Sequence, residues 1–268
     1  MLECVVNISE GRDLDRVARI GAAAEERLLD VHSDPHHHRS VLTLVGEEAA
    51  RAVAAAAVAE LDLGSHVGVH PRLGVVDVVP FVALGGTPPD AAVAARNAFA
   101  RWLADVHDVP CFLYGTERTL PDVRRGAFRS LPPDTGPAAP HPTAGATAVG
   151  HRPMLVAYNV WVSGTDLVGA RRVAADVRGP GIRALGLQVG DRLQVSMNLI
   201  DPLVIGPAAA FDAVAVAARR TGADVVGTEL VGLVPDVVLR AVPASRWDAL
   251  DLGVDRTIEA QLEARGLR

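Results

Sequence analysis

Three polar clusters in this chain combine residue types that can move protons or grip carboxylates. The densest is Gly64-Ser-His-Val-Gly-Val-His-Pro-Arg-Leu-Gly-Val-Val-Asp77. It sets His66, His70, Arg72 and Asp77 between a helical pattern and a strand pattern. A histidine in such a loop can titrate near neutrality and carry a proton in either direction. Pro71 biases His70 to an extended backbone, so His66 and His70 do not share a helical face. No glutamate follows His66, so the pair lacks the helical zinc-site pattern. The second cluster is His32-Ser-Asp-Pro-His-His-His-Arg39. Consecutive extended side chains alternate, so three adjacent histidines cannot all face one ligand. No metal-ligand spacing is recognisable there, and none is expected to bind a metal. Arg39 suits a ligand that carries carboxylates. The third cluster, Asn7-Ile-Ser-Glu-Gly11, closes a strand; Glu10 and Ser9 equally suit a turn and a helix cap.

These clusters need rigid elements to aim them. Leu2–Asn7 reads as a strand, Asp13–Arg27 as a helix, and Leu28–His32 and Ser40–Val45 as strands around a polar loop. Glu47–Leu61 is an alanine-rich helix, and the β-branched run Val75–Leu84 is a strand. Thr87 is expected to cap a helix from Pro88–Pro89 to about His107, before a strand at Val109–Tyr114. Arg129–Gly145 holds five prolines, and no regular element survives that density. The second half repeats the order. It has a strand at Met154–Val162, a helix Asp166–Arg178 capped by Thr165, and strands Arg183–Val189 and Arg192–Leu199. Gly190–Asp191 between them reads as a type I′ hairpin turn. A helix from Pro207 to about Thr221, a strand Asp224–Gly227 and an amphipathic helical tail Asp236–Arg268 complete it.

The pattern predicts an α+β fold of two tandem ferredoxin-like βαββαβ subdomains, with antiparallel or mixed sheets and a cleft between them. The expected division is 1–145, including the proline-rich segment 129–145, and 146–268.

Composition narrows the function classes. The 268 residues carry a net charge of −6, and every one of the 26 basic residues is arginine. The charge argues against non-specific nucleic-acid binding. Cys4 and Cys111 make no disulfide framework and suit buried thiols in a reducing compartment. No apolar run is long enough to span a membrane, and no secretory signal opens the chain. The expectation is a cytoplasmic protein.

Several of these segments resemble the glutamate formimidoyltransferase family. Val6-Asn7-Ile-Ser-Glu-Gly11 is similar to its opening motif, and His38-Arg39-Ser-Val41 to a second. His66-x-Gly-x-His70-Pro-Arg72-x-Gly-x-x-Asp77 is similar to its most specific signature. Further matches are Leu113-Tyr-Gly115, Gly145-Ala-Thr-Ala-x-Gly150, Ala157-Tyr-Asn159, Gln194-Val-Ser-Met-Asn-Leu199 and Val226-Gly-x-Glu229. The sequence departs from the family at Val67 and Val69, where a basic residue and a glutamate are usual, and at Trp161, where an asparagine is usual.

The resemblance implies transfer of a formimino group from N-formimino-L-glutamate to tetrahydrofolate, giving 5-formimino-tetrahydrofolate and glutamate. It implies a homodimer, His70 as the catalytic histidine, and no metal. Tetrahydrofolate would be a co-substrate met by Gly136, Pro137, Pro142 and Gly145. Asn7, Glu10, Arg39, Arg72, Asp77, Arg152 and Asn159 are the expected substrate-binding residues, with arginines clamping carboxylates. Asp77 would either orient His70 or cap a strand. The alternatives are a non-catalytic folate or amino-acid binding homologue, a related formyl-group transferase, and a metal-dependent hydrolase on His32, His36 and His66.

Overall fold

The computed structural model describes residues 1–68 and 71–267. The chain divides into two compact units, Met1–Arg152 and Pro153–Arg268.

The first unit opens with β1 (Leu2–Ile8), α1 (Leu14–Ala22), β2 (Leu28–Asp34), β3 (Arg39–Val45), α2 (Glu47–Glu60) and β4 (Val76–Ala83). These strands lie in the order β2-β3-β1-β4, with antiparallel pairing of β1 to both β3 and β4. This is the ferredoxin-like order the sequence pattern predicts. The unit then adds α3 (Pro89–His107), β5 (Cys111–Tyr114), α4 (Leu120–Gly126) and β6 (Thr147–His151). Strand β6 inserts between β4 and β5 and runs parallel to both, which makes the six-stranded sheet mixed.

Alternation sorts the two faces of this sheet. Cys4, Val6 and Ile8 of β1 and Leu42 and Leu44 of β3 join one core with Val53 of α2 and Phe99 and Leu103 of α3. Fully burying such aliphatic and aromatic side chains contributes about 1.5–3 kcal/mol each. Asn7 and Arg39 have the opposite parity and fall on the other face. There a smaller cluster of Val78, Phe112, Tyr114, Val123 and Ala148 packs beneath α4.

The second unit contains β7 (Val156–Ser163), α5 (Leu167–Val177), β8 (Ile182–Val189), β9 (Arg192–Leu199), α6 (Pro207–Arg220) and β10 (Asp224–Val231). Its strands are ordered β10-β7-β9-β8, all antiparallel. Tyr158, Val160, Val195, Met197 and Leu199 pack with Val173 of α5 and Val214 of α6.

Several local expectations are corrected. Pro88, not Thr87, occupies the N-cap of α3, and the Thr87 hydroxyl instead accepts from the chain's amino terminus. Asp166, not Thr165, caps α5, because its carboxylate accepts the Gly169 amide at 2.8 Å. Gly190 has positive φ and Asp191 does not, the pattern of a type II′ rather than a type I′ turn. The expected helix over Asp13–Arg27 stops at Ala22 and is followed by a short 3-10 turn. The tail is not one helix. It consists of α7 (Asp236–Arg240), three 3-10 turns and α8 (Ile258–Ala264), and Val238, Leu239, Leu250 and Leu252 bury into the second core. Helix α4 and strand β6 were not foreseen, and β6 carries the first unit past residue 145 to Arg152.

Among the described residues, no helix is long and apolar enough to cross a membrane.

Candidate functional site

Asp77 organises the polar residues of the first unit. Ile8 pairs with Val76 and Asn7 with Val78, so Asp77 is the extra residue of a β-bulge. A bulge re-aims the side chain it frees. The buried carboxylate accepts the Leu73 amide at 2.7 Å. It also takes a two-pronged pair from Arg124 at 2.7 and 2.5 Å, and Arg39 Nη1 lies 3.4 Å away. Burial alone would raise the Asp77 carboxyl. The Arg124 hydrogen bonds, the charges of Arg39 and Arg124 and the Leu73 amide outweigh it and hold the group below its usual range.

Arg39 reaches this carboxylate from β3. Its Nε and Nη2 donate to Asn7 Oδ1 at 3.2 and 2.6 Å. Asn7 in turn donates to the Val5 and Val78 carbonyls, which fixes its amide. Asn7 is thus a brace for Arg39.

Glu10 serves the start of α1. Its Oε1 accepts the amides of Gly11, Arg12 and Asp13 at 2.9, 2.9 and 3.1 Å, where the helix dipole also favours an anion. His38 Nδ1 lies 3.3 Å from the same oxygen. Burial pushes the His38 imidazole below its ordinary value, against the pull of Glu10. The His38 ring stacks on His66 at 4.2 Å, and His66 Nε2 donates to the His38 carbonyl at 2.8 Å. That bond places the His66 proton on Nε2 and leaves Nδ1 as an acceptor. This nitrogen is buried with no hydrogen-bond partner among the described residues.

Arg72 donates to the carbonyls of Gly68 and His66 at 3.1 and 2.8 Å. It staples its own loop, a use the sequence does not announce. Ser9, His37, His38, Arg39, His66, Arg72 and Asp77 line one recess. His70 and Val69 lie outside the described residues.

The expected folate segment has two differently anchored ends. At one end, Thr135 and Asp134 bond the backbone of Cys111, and Gly136, with φ +87°, sits against Ala104 and Pro110. At the other, His141 and Gly145 exchange backbone hydrogen bonds at 2.8 and 2.9 Å, while Ala146 and Ala144 bond Leu73 and Val75. The Pro142–Gly145 end is therefore stitched onto the strand that leads into Asp77. A Cβ on Gly74 would collide with the Ala144 and Ala146 carbonyls, so only glycine lets the two segments approach. Pro137 and Pro142 are exposed.

Tyr114, at the end of β5, lies on the face that carries Arg39. Burial pushes its hydroxyl up to about 12, against the charges of Arg152, Arg124 and Arg39. Of these, Arg39 and Arg124 also pair with Asp77. The Arg152 amide donates to Phe81.

Asn159 belongs to the second unit. Its amide donates to Glu229 Oε2 at 3.0 Å, and Gln194 donates to the same oxygen at 3.1 Å. Beside them Arg192 lies 4.0 Å over the Trp161 ring, a cation–π contact.

Sequence reasoning gave no site role to Arg124, Tyr114, His38 or Gln194. Tyr114, His38 and Gln194 sit inside matched motifs. Arg124 lies 47 residues from Asp77, and no spacing rule links positions so far apart. Among the described residues, no group of three or more His, Cys, Asp or Glu side chains gathers to hold a metal ion.

The comparisons with known proteins agree with this architecture. Residues 1–152 match the N-terminal subdomain of the formiminotransferase domain, and residues 157–245 match the formiminotransferase domain. The chain is 35% identical to a glutamate formimidoyltransferase from Streptococcus pyogenes, covering 88% of this chain and 89% of that one. It is 33% identical to a glutamate formimidoyltransferase from Thermoplasma acidophilum, covering 89% of each. A formimidoyltransferase-cyclodeaminase from Sus scrofa is 35% identical over 88% of this chain, which spans 50% of that longer protein. With both of its units matched in order and in full-length relatives, the chain belongs to the formiminotransferase family.

Proposed function

We propose that this protein is a glutamate formimidoyltransferase, moving the formimino group of N-formimino-L-glutamate to tetrahydrofolate. The observation that carries the reading is the match of both units to the formiminotransferase domain. A recess lined by Arg39, Arg72 and Asp77 accompanies it.

The residues fit ligands that carry carboxylates. Arg39 and Arg124 are held in place by Asp77 and Asn7, and prepositioned guanidinium groups bind carboxylates at low ordering cost. Bound tetrahydrofolate supplies the amine that accepts the one-carbon unit. The family resemblance assigns proton transfer to His70, an imidazole that can accept a proton during attack and return it to the departing glutamate nitrogen. Asn7, Glu10, Arg72 and Asp77 support this from the fold, as braces of Arg39, of α1 and of the signature loop. Arg39 and Arg152 are the clamps we favour, and Asn159 belongs to the same reading through its motif. Gly136, Pro137, Pro142 and Gly145 would contact folate, their stiff segment pre-shaped by proline and by its backbone bonds. The family resemblance also carries the expectation of a cytoplasmic homodimer.

The test is turnover of N-formimino-L-glutamate with tetrahydrofolate for the wild type and His70→Ala. Loss of a general acid–base group is expected to lower kcat by about 100-fold or more, with folate binding retained. Folate binding by the wild type without product would instead favour a binding homologue. Wild-type turnover left intact by His70→Ala would remove His70 from the reaction.

A further inference from the structure

The ring of His66 is firmly held, yet one of its nitrogens is left over. Nε2 lies 2.8 Å from the His38 carbonyl. A carbonyl only accepts, so this nitrogen carries the proton, and in the neutral imidazole Nδ1 keeps a lone pair. Turning the ring over would set a carbon against that carbonyl, so the bond also decides which ring atom is which. The His38 ring stacks on it at 4.2 Å. Its Cε1 edge meets Gly68, where a Cβ would stand only 2.8 Å away. The backbone is tied as well: the His66 amide donates to Leu63 at 3.2 Å, and the His66 carbonyl accepts from Arg72 at 2.8 Å. Nδ1 is nonetheless buried with no hydrogen-bond partner among the described residues.

A buried acceptor left unmet is destabilising, and few such groups persist in folded proteins without a role. His66 lines its recess together with Ser9 and Asp77. Those two have protein partners: the Ser9 hydroxyl donates to the Gly74 carbonyl at 2.8 Å, and Asp77 accepts from Leu73 and Arg124. The lone pair on Nδ1 sets the chemistry of what completes it. A carboxylate oxygen is itself an acceptor and cannot; the ligand atom must bring a hydrogen.

We infer that His66 Nδ1 is a recognition group of this recess, accepting a hydrogen bond from an N–H of a substrate. The inference rests on the transferase reading above. Two substrate groups have that chemistry. The formimino group is an amidine, whose terminal nitrogen carries N–H in either protonation state. The reduced pterin of tetrahydrofolate carries ring and amino N–H groups. With the amidine as partner, His66 also sets specificity: a formyl group would turn an oxygen lone pair toward Nδ1, acceptor against acceptor. A site that pairs a substrate N–H rejects the analogue lacking it, because its own buried group is then left unmet.

Titrating each compound alone into the protein isolates this contact. The probes are N-formimino-L-glutamate, its N-formyl analogue, which keeps both carboxylates, and tetrahydrofolate. His66→Gln keeps a donor for the His38 carbonyl and removes the Nδ1 acceptor. His66→Asn keeps an acceptor near the place of Nδ1 and gives up the His38 bond. Wild type is expected to bind the formimino compound about ten-fold or more tightly than the formyl one. That preference should fall to within about two-fold in His66→Gln and persist in His66→Asn. An affinity for tetrahydrofolate that drops about ten-fold in His66→Gln alone assigns the N–H to the pterin instead. If preference and folate affinity are both unchanged in His66→Gln, or decline only in step with the melting temperature, the inference is overturned. His66→Gln decides alone if His66→Asn does not fold. Turnover separates this from the transferase reading. Product formed with binding unchanged in His66→Gln keeps the transferase and removes the role of His66. Binding altered as expected, in a wild type that makes no product, keeps the role of His66 and removes the transferase.

Discussion

At the scale of single residues, the site is built by pairing polar groups with one another. Asp77 shows this most clearly. It is buried, yet its carboxyl is held below the usual range because Arg124, Arg39 and the Leu73 amide outweigh desolvation. Replacing it with asparagine removes the negative charge that Arg39 and Arg124 share. Breaking such a pair is expected to cost about 3 kcal/mol, with a large rise in KM as Arg39 and Arg124 drift. The pH dependence follows from linkage. A carboxylate with a depressed folded pKa stabilises fully above its unfolded value of about 3.9, and that stability is lost as pH falls through the folded value. Glu10 and Glu117 are also held below their usual range, so denaturant unfolding as a function of pH should show a smaller acid limb in Asp77→Asn than in the wild type. An unchanged limb would mean that other carboxylates carry it. The roles of Asn7, Glu10 and Arg72 were legible as polar residues in motifs. Their partners were not, because Asn7 braces Arg39 from another strand and Arg72 turns back on carbonyls of its own loop.

At the scale of elements, alternation and helical spacing carry the reading a long way. The order strand-helix-strand-strand-helix-strand stands in both halves because each strand buries every second side chain in its helix-covered core. What escaped has a physical cause in each case. Strand β6 is Thr147-Ala-Val-Gly-His151, with one residue too small to pack and two polar, so it lacks an apolar signature. It is a strand because β4 and β5 pair with it on both sides. Helix α4 is only Leu120–Gly126, and its capping box of Thr119 and Asp122 is a local signal that could have found it. The break-up of the tail follows Pro243 and Gly253, which interrupt a continuous helix. Gly150 leaves room for the Tyr114 ring directly opposite it in the pairing. Gly150→Ala should destabilise by about 1–3 kcal/mol through overpacking and lower the melting temperature by several degrees. Tyr114→Val in the same chain should recover part of that loss, because the two residues share one space. Strict additivity of the two changes would show that the ring does not fill that space.

At the scale of the whole molecule, the unit boundary depends on a strand that sequence reasoning assigned to the other side. A break after the prolines is the natural reading, since Arg129–Gly145 contains no regular element. Yet β6 follows that segment and sits inside the first sheet, hydrogen-bonded to β4 through Val78–Phe81 and to β5 through Cys111–Tyr114. Removing it strips two parallel ladders and takes Val149 and Ala148 out of the cores on opposite faces of the sheet. The segment 129–145 is therefore an internal excursion of the first unit, anchored at Cys111 and at Leu73–Val75. A fragment of residues 1–152 should unfold cooperatively in urea. One ending at 145 should show a broad, low-amplitude transition and be cut rapidly by protease near β4 and β5. The ladders and buried side chains of β6 account for the difference, which should exceed what removal of a surface segment of equal length could cause. If the two fragments unfold alike, the first sheet closes without β6.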